Sequence, residues 1–208
     1  MNPPLDLLKP LIALLAIVNP IGAVPFFLAF TQGLDRAQRQ RTLRVSSFAA
    51  FCVIAVSGVA GLQIIGFFGI SIASFQVGGG MLLLISAMNM LNAQPAEAKT
   101  NTHELEEGAE KAAAGASIAV VPLTIPLLTG PATMSTVVIF ADKAKSYWQL
   151  FTLVGYGLVV ALAVALCFSL AQPIARLLGK TGINVMTRLM GLILAALAVE
   201  VMADGLGK

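Results

Sequence analysis

Charged residues are scarce in this sequence. Only 11% of its 208 residues are Asp, Glu, Lys or Arg, and 58% are hydrophobic, whereas water-soluble domains carry about 25% charged residues. This shortage excludes a water-soluble domain and indicates an integral membrane protein whose first partner is the lipid bilayer. The net charge of +3 does not indicate a nucleic-acid partner, because the informative quantity in a membrane protein is the distribution of Lys and Arg among its loops.

Residues that usually carry catalysis are also few. There is one histidine, His103, and there are two cysteines, Cys52 and Cys167, both inside apolar stretches. The sequence contains no Ser/His/Asp set, no cluster with metal-ligand spacing and no phosphate-binding loop. The cysteines suggest neither a disulfide framework nor a zinc site. We therefore expect no enzymatic activity, no metal and no cofactor.

Long apolar stretches make up most of the remaining chain. A membrane-spanning helix needs about 20 mostly apolar residues. Six stretches meet this requirement, at about 5–31, 45–67, 70–92, 116–140, 148–171 and 184–205. The predicted fold class is an all-α integral membrane protein with six transmembrane helices.

The basic residues are unevenly distributed among the predicted loops. Nine of the thirteen Lys and Arg residues fall between spans one and two, in the central loop, or between and beside spans five and six. Loops rich in Lys and Arg face the cytoplasm. The sequence therefore predicts periplasmic N- and C-termini, with four basic residues outside: Lys9, Lys143, Lys145 and Lys208.

Two of the six spans are interrupted by proline near their middle. Span one contains residues 19–25 (NPIGAVP) and span four contains residues 126–131 (PLLTGP), so that Pro20 and Pro131 stand at corresponding places in the two halves. Proline removes a backbone donor and clashes with the preceding turn. Opened backbone inside a bilayer is tolerated only where it is buried in protein or lines a wet cavity. A matched pair of interrupted helices indicates the substrate site of a transporter.

The offset between these two prolines relates other positions in the two halves. It aligns Gly80 with Gly191 and Ala87 with Ala198. Each half contains a broken span, a plain span and a glycine-bearing span. Because three is an odd number, the second half would enter the membrane from the opposite side, which is an inverted repeat. The glycines either have a functional role or only allow close helix packing.

The repeat defines the predicted domain organisation. Residues 1–92 form a first three-helix repeat, residues 93–115 a cytoplasmic linker, and residues 116–208 a second three-helix repeat. The linker is rich in Glu and Ala. It is either a short helix or disordered connection, or a docking site for a regulator.

Several short motifs carry a resemblance to a known family. They are residues 19–22 (NPIG) with Pro25, residues 68–72 (FGISI) followed by Gly78 and Gly79, residues 118–123 (IAVVPL) with Gly130 and Pro131, and residues 187–191 (TRLMG). The sequence resembles the MarC family of bacterial inner-membrane proteins, which is related to the LysE-type exporters. It departs from the family pattern at Ala132, within a turn that usually reads Gly-Pro-Gly, and at Glu200, where an amide is more usual. The resemblance implies six spans, location in the bacterial inner membrane and a role in moving small neutral amino acids.

Polar groups at the two breaks are the candidate binding residues. Helix N-termini present unpaired N–H groups and about half a unit of positive charge, which suits a carboxylate. The opposite helix ends present carbonyls that suit an ammonium group, so two half-helices could hold a zwitterion. Any single threonine could instead bond its own helix backbone. The predicted substrate-binding residues are Asn19, Pro20, Gly22, Thr129, Gly130, Pro131 and Thr133.

Glu200 is the one acidic residue well within a predicted span. An ionisable group inside a membrane is a candidate for ion or proton coupling, and Asn89, which the repeat offset aligns with it, is its candidate symmetric partner. Alternatively, Glu200 reaches the nearby interface, since Asp204 follows four residues later.

These features lead to a first hypothesis and two alternatives. The first is a secondary transporter of small neutral amino acids or similar metabolites, working by alternating access around the two broken helices. One alternative is a membrane-embedded thiol oxidoreductase that uses Cys52 and Cys167. The other is a membrane scaffold that transports nothing. The oligomeric state is left open.

Overall fold

Seven α-helices make up the described part of the chain. The structure, a computed structural model, describes residues 3–92, 128–144 and 146–207. The predicted linker at 93–115 and the first part of span four, residues 116–127, lie outside the described residues. The helices are α1 (Pro3–Val18), α2 (Val24–Phe30), α3 (Arg36–Phe67), α4 (Ile72–Leu91), α5 (Pro131–Asp142), α6 (Tyr147–Ser169) and α7 (Ala171–Leu206).

Four of the described helices are long and apolar enough to cross a membrane, by length and composition: α3, α4, α6 from Trp148 onward, and α7. They correspond to predicted spans two, three, five and six. Predicted span one is divided between α1 and α2, and the described part of span four contains α5. The prediction of an all-helical membrane protein is therefore confirmed for the described residues.

Helix α3 contains predicted span two and extends beyond it. The span was predicted from about residue 45, and α3 begins at Arg36. Asp35 caps the helix: its carboxylate accepts a hydrogen bond from the Gln38 backbone N–H, and the Gln38 side chain accepts one from the Asp35 backbone N–H. This reciprocal pair is a capping box, which stabilises a helix start. The four arginines between residues 36 and 44 therefore lie on the first turns of a helix.

Helix α7 contains a kink at Gly179. This residue has φ 59 and ψ −174, a conformation outside the helical region. A positive φ favours glycine, because a Cβ would clash with the backbone. The kink separates residues 171–178 from the long apolar part of α7.

Helices α4 and α7 pack against each other in opposite directions through two glycines. A Cβ added at Gly80 would lie 3.1 Å from the carbonyl oxygen of Ala198, and one added at Gly191 would lie 3.0 Å from that of Ala87. Small residues allow such backbone approach in membrane helices. Because the repeat offset aligns Gly80 with Gly191 and Ala87 with Ala198, the second contact repeats the first.

Helices α3 and α6 form a second antiparallel pair. A Cβ added at Gly157 would lie 2.8 Å from a side-chain methyl carbon of Ile54, and one added at Gly58 would lie 3.7 Å from Leu153. Both helices begin after a capping residue, Asp35 for α3 and Ser146 for α6. The repeat offset aligns these two caps as well.

Two buried clusters hold the interrupted segments in the interior. One contains Phe27 of α2 stacked on Phe168 of α6, with ring centroids 4.3 Å apart. The other contains Ala16, just before the first break, and Ala132, just after the second, together with Leu83 of α4 and Leu194 of α7. Both breaks are therefore close to the same interior region.

Candidate functional site

The first break is formed by residues 19–23, between α1 and α2. Asn19 has φ 42, in the left-handed region, which Asn tolerates better than most residues. Its side-chain Oδ1 accepts a hydrogen bond from the Gly22 backbone N–H at 3.2 Å, and its carbonyl accepts one from the Ala23 N–H at 3.1 Å. Asn19 thus satisfies backbone groups that the interruption would otherwise leave unpaired.

The Asn19 side chain also connects the break to α7. Its Nδ2 donates a hydrogen bond to the hydroxyl of Thr187 at 3.3 Å. Gly22 lies directly beside this pair: a Cβ there would lie 2.9 Å from the Thr187 hydroxyl oxygen and would overlap the Asn19 amide. The structure therefore brings two of the predicted residues, Asn19 and Gly22, together with Thr187, which was not predicted as a binding residue.

A cleft opens beside this contact. Its volume is about 560 Å³, within the usual range for small-molecule sites of about 300–1,000 Å³. One wall is α2 with the residues before it, and the other is α7 on both sides of its kink. Among the described residues that line it, Lys180 carries the only charge. The lining residues are Gly22, Pro25, Phe26, Leu28, Ala175, Gly179, Lys180, Ile183, Asn184 and Thr187.

The second break precedes α5 and is constructed differently. Gly130 is the N-cap residue of α5 and Pro131 begins the helix, a position where proline's missing N–H and fixed φ are favourable. The Gly130 carbonyl accepts hydrogen bonds from the N–H groups of Thr133 and Met134, at 3.0 and 3.2 Å. Because the cap residue is glycine, it has no side chain that could form a hydrogen bond to another helix, as Asn19 does at the first break.

The polar residues around the second break are buried. Thr129 and Thr133 are at most 1% exposed. The Thr133 hydroxyl points back across the break to the Leu128 carbonyl oxygen, at a long distance of 3.5 Å. Ser135 and Thr136 bond the backbone of their own helix, at 2.9 and 2.8 Å, as the alternative interpretation of these hydroxyls expects.

The predicted residues are therefore only partly gathered in one place. Gly22 lines the cleft, and Asn19 contacts it through Gly22 and Thr187. Pro20 is buried within the first break and does not line the cleft. The second-break residues Thr129, Gly130, Pro131 and Thr133 do not line it either.

Glu200 and Asn89 do not meet. The Glu200 carboxylate is about half exposed and forms an ion pair with Lys9 of α1 at 3.1 Å. Asn89 lies near the C-terminal end of α4, which packs against Gly191 of α7. Glu200 lies further along α7, next to the residues that contact Gly80. Their roles in coupling remain predictions, but the two residues cannot form a single site in this conformation.

One fully buried polar residue was not predicted from the sequence. Gln76 of α4 is 0% exposed, and neither its Nε2 nor its Oε1 has a hydrogen-bond partner among the described residues. Its position in the sequence gives a signal that could have found it, because the repeat offset aligns Gln76 with Thr187.

Comparison with known proteins gives a consistent result along the whole chain. Residues 6–208 match the family model described as "MarC family integral membrane protein". The chain is 36% identical to the UPF0056 membrane protein YhcE of Escherichia coli over 94% of its length and 89% of the relative's. It is 39% identical to the UPF0056 membrane protein YvbG of Bacillus subtilis, covering 94% and 91%. Identity to the UPF0056 membrane protein MJ1677 of Methanocaldococcus jannaschii is 32%, covering 93% and 92%. No solved structure matches.

Proposed function

This chain belongs to the MarC family of integral membrane proteins, and from that premise we propose that it is a secondary transporter of small neutral amino acids or similar metabolites. The single observation that carries the proposal is the opened backbone between α1 and α2 beside a cleft of about 560 Å³. Interrupted helices at membrane depth are tolerated where they line a cavity, and they form the substrate sites of many transporters.

The chemistry of the cleft suits a small solute that carries both charges. Lys180 supplies one positive charge, and Asn184 and Thr187 supply neutral polar groups on the same wall. The opposite wall at Gly22 and Pro25 presents little side chain, so a solute could approach the backbone. An ammonium near backbone carbonyls of the break and a carboxylate near Lys180 would satisfy a zwitterion.

An inverted repeat would give this site alternating access. The proposal is supported by two features that recur at the repeat offset: the glycine contacts between α4 and α7, and the capped starts of α3 and α6. Gly80 contacts Ala198, and its aligned residue Gly191 contacts Ala87, which aligns with Ala198. Such a reciprocal pair of contacts is expected for two repeats related by a twofold axis. Rocking of one repeat against the other would open the site to each side in turn.

The orientation proposed for this transporter places both termini in the periplasm of the inner membrane. Lys180 and the arginines at the start of α3 would then face the cytoplasm, where basic residues accumulate. In this orientation the cleft, which Lys180 lines, opens toward the cytoplasm. This conformation would be the inward-facing one.

The placement of the cysteines argues against the thiol oxidoreductase. Cys52 and Cys167 are both free. The contacts of Ile54 with Gly157 and of Gly58 with Leu153 fix the register of α3 against α6. In that register the two cysteines lie about two helical turns apart along the pair, too far for a disulfide, whose Cα atoms lie within about 7 Å. We therefore propose transport, with no enzymatic step.

Flux measurements in proteoliposomes test the proposal. Uptake and efflux of labelled glycine, alanine, serine and threonine would be followed with and without proton and sodium gradients. We expect saturable flux of at least one of these solutes, unchanged in the Cys52→Ala/Cys167→Ala double variant. Absence of saturable flux for all four would refute an amino-acid transporter, and flux lost only in the double variant would restore the thiol hypothesis.

A further inference from the structure

Gln76 is the least satisfied polar side chain in the described interior. Both atoms of its amide are buried without a hydrogen-bond partner among the described residues. Burying an unpaired amide costs about 1–3 kcal/mol by mutational measures. An apolar residue at this position of the helix would not incur this cost. A polar group kept in such a place calls for a specific explanation.

The repeat offset relates Gln76 to the contact at the first break. Thr187 corresponds to Gln76, and Asn19 corresponds to Gly130. At the first break the interrupted segment supplies an amide and the packed helix supplies a hydroxyl, and the two bond each other. At the second break the interrupted segment has no amide, and the packed helix supplies one.

One hydroxyl at the second break belongs to Thr133, which corresponds to Gly22. Each break thus has an amide and a hydroxyl beside it, with the amide on the broken segment at the first break and on the packed helix at the second. At the first break the Asn19 amide and the Thr187 hydroxyl hydrogen-bond to each other. At the second, Thr133 points to Leu128, and the Gln76 amide stays available to another molecule.

Gln76 lies one turn before a contact between α4 and α5, the helix that follows the second break. Gly79, one turn further along α4, would place a Cβ 3.1 Å from the Ser135 Cβ of α5. On the α7 side, a Cβ at Gly205 would lie 3.0 Å from the Gln76 Cβ. Because α4 and α7 run in opposite directions, Gln76 and Thr187 lie at opposite ends of this helix pair.

The end of the molecule around Gln76 is closed by an ion pair. Lys143, just after α5, binds the carboxylate of Asp204, the residue before Gly205. The pair joins the ends of α5 and α7 next to Gln76. The repeat offset aligns Lys143 with Gln32, which carries no charge and cannot form such a bridge.

We propose that Gln76 is a solute-binding residue of a second half-site, which is closed here and opens when the cleft at Thr187 closes. The inference rests on the proposed transport function and deepens it. A primary amide offers N–H donors and a C=O acceptor, so it binds a carboxylate and an ammonium of the same molecule. A neutral amide in an apolar interior selects a solute without net charge, because an uncompensated charge there would be costly.

The test uses the purified full-length protein and two substitutions at this position. Gln76→Met keeps the length of the side chain and Gln76→Leu its approximate volume, and both remove the amide. The matched control is Gln63→Leu, which replaces an exposed glutamine of α3. Thermal unfolding is recorded without solute and with increasing concentrations of glycine, alanine, serine or threonine, and flux of the same solutes is measured in proteoliposomes.

We expect the Gln76 variants to unfold at the same or a higher temperature than wild type without solute, because an unsatisfied amide has been removed. We expect solute-induced stabilisation and flux to require at least tenfold higher concentrations, while Gln63→Leu behaves as wild type. Wild-type affinity in either Gln76 variant would overturn the inference, and so would marked loss of unliganded stability in both. A wild-type protein that responds to no solute would refute the proposed function itself, which is a distinct result.

A second measurement depends on no solute. In the Cys52→Ala/Cys167→Ala background, single cysteines at Gln76 and at Thr187 are treated with a membrane-impermeant maleimide in oriented vesicles. We expect labelling of the two positions from opposite faces, with Gln76→Cys slower. Labelling of both from the same face, or no labelling of Gln76→Cys from either face, would overturn the inference.

Discussion

Asn19 and Thr187 are 168 residues apart in the chain, yet the amide of one donates a hydrogen bond to the hydroxyl of the other at 3.3 Å. This contact joins the interrupted first helix to α7 at the edge of the cleft. It gives a physical reason for an asparagine in the left-handed conformation inside a membrane protein. The Asn19 side chain accepts a hydrogen bond from the backbone of the break and donates one to α7, the helix that forms the opposite wall of the cleft.

Two substitutions separate the backbone role of Asn19 from the role of its amide. Asn19→Gly tolerates the positive φ and loses the side-chain bonds, whereas Asn19→Ala also strains the backbone by about 1–2 kcal/mol. We expect both variants to lose solute binding and Asn19→Ala to be the less stable. Thermal unfolding and flux measure the two effects. Equal stability of the variants would mean that the left-handed conformation is not maintained.

The two proline substitutions should have unequal effects. Pro131 occupies the first position of α5, where alanine is also acceptable. Pro131→Ala should therefore change the unfolding temperature little and leave the flux within about twofold of wild type. Pro20 follows Asn19, and the conformation and hydrogen bonds of Asn19 also keep the helix interrupted. Pro20→Ala should therefore weaken binding less than Asn19→Ala does. Calorimetric titration with a transported solute checks the order. A larger loss from Pro131→Ala would place the main binding contacts at the second break.

The packing of α4 against α7 predicts a matched pair of destabilised variants. Gly80→Ala brings a Cβ within 2.5 Å of the Met202 side chain, and Gly191→Ala brings one within 3.0 Å of the Ala87 carbonyl. Overpacking of this kind costs about 1–3 kcal/mol. Gly66→Ala is the control, since among the described residues no heavy atom outside its own helical turn lies within 4 Å of the added Cβ. If Gly80→Ala and Gly191→Ala unfold like the control, the close approach of these helices is wrong.

Glu200 provides a prediction about coupling. Its carboxylate is half exposed and paired with Lys9, and exposed pairs contribute about 0–1 kcal/mol. We expect Glu200→Gln to change stability little and to leave the pH dependence of flux as in wild type, with Lys9→Gln behaving alike. Flux between pH 5 and pH 8 measures this. Loss of the pH dependence in Glu200→Gln alone would make Glu200 a proton-coupling residue.

The sequence predicted the helical membrane class and the interruption near Asn19 because both depend on local properties: apolar length and helix-breaking residues. It attributed the first break to proline, whereas the structure shows the contribution of the Asn19 conformation, which depends on contacts within the break and with α7. It did not predict that the helix of span two begins at Arg36, before the apolar stretch, because hydropathy reports the membrane-spanning part of a helix and not the turns that Asp35 caps.

Thr187 and Gln76 were missed for a related reason. Their importance arises from neighbours distant in the chain, and periodicity does not distinguish a buried polar residue that is paired from one that is not. The kink at Gly179 was also invisible, since glycine is common in membrane helices. The repeat offset was visible in the sequence, and applying it to polar residues would have connected Gln76 to Thr187.

The most direct measurement for the central claim is counterflow in proteoliposomes preloaded with unlabelled alanine. It would compare wild type with Gly22→Val, whose added side chain would displace the Asn19 amide and the Thr187 hydroxyl at the wall of the cleft, and with the control Gly66→Ala. The account predicts transient accumulation of labelled alanine in wild type and Gly66→Ala, and at least a tenfold lower rate in correctly folded Gly22→Val. Accumulation at the wild-type rate in Gly22→Val would contradict the account, because solute would then cross without using the cleft at the first break.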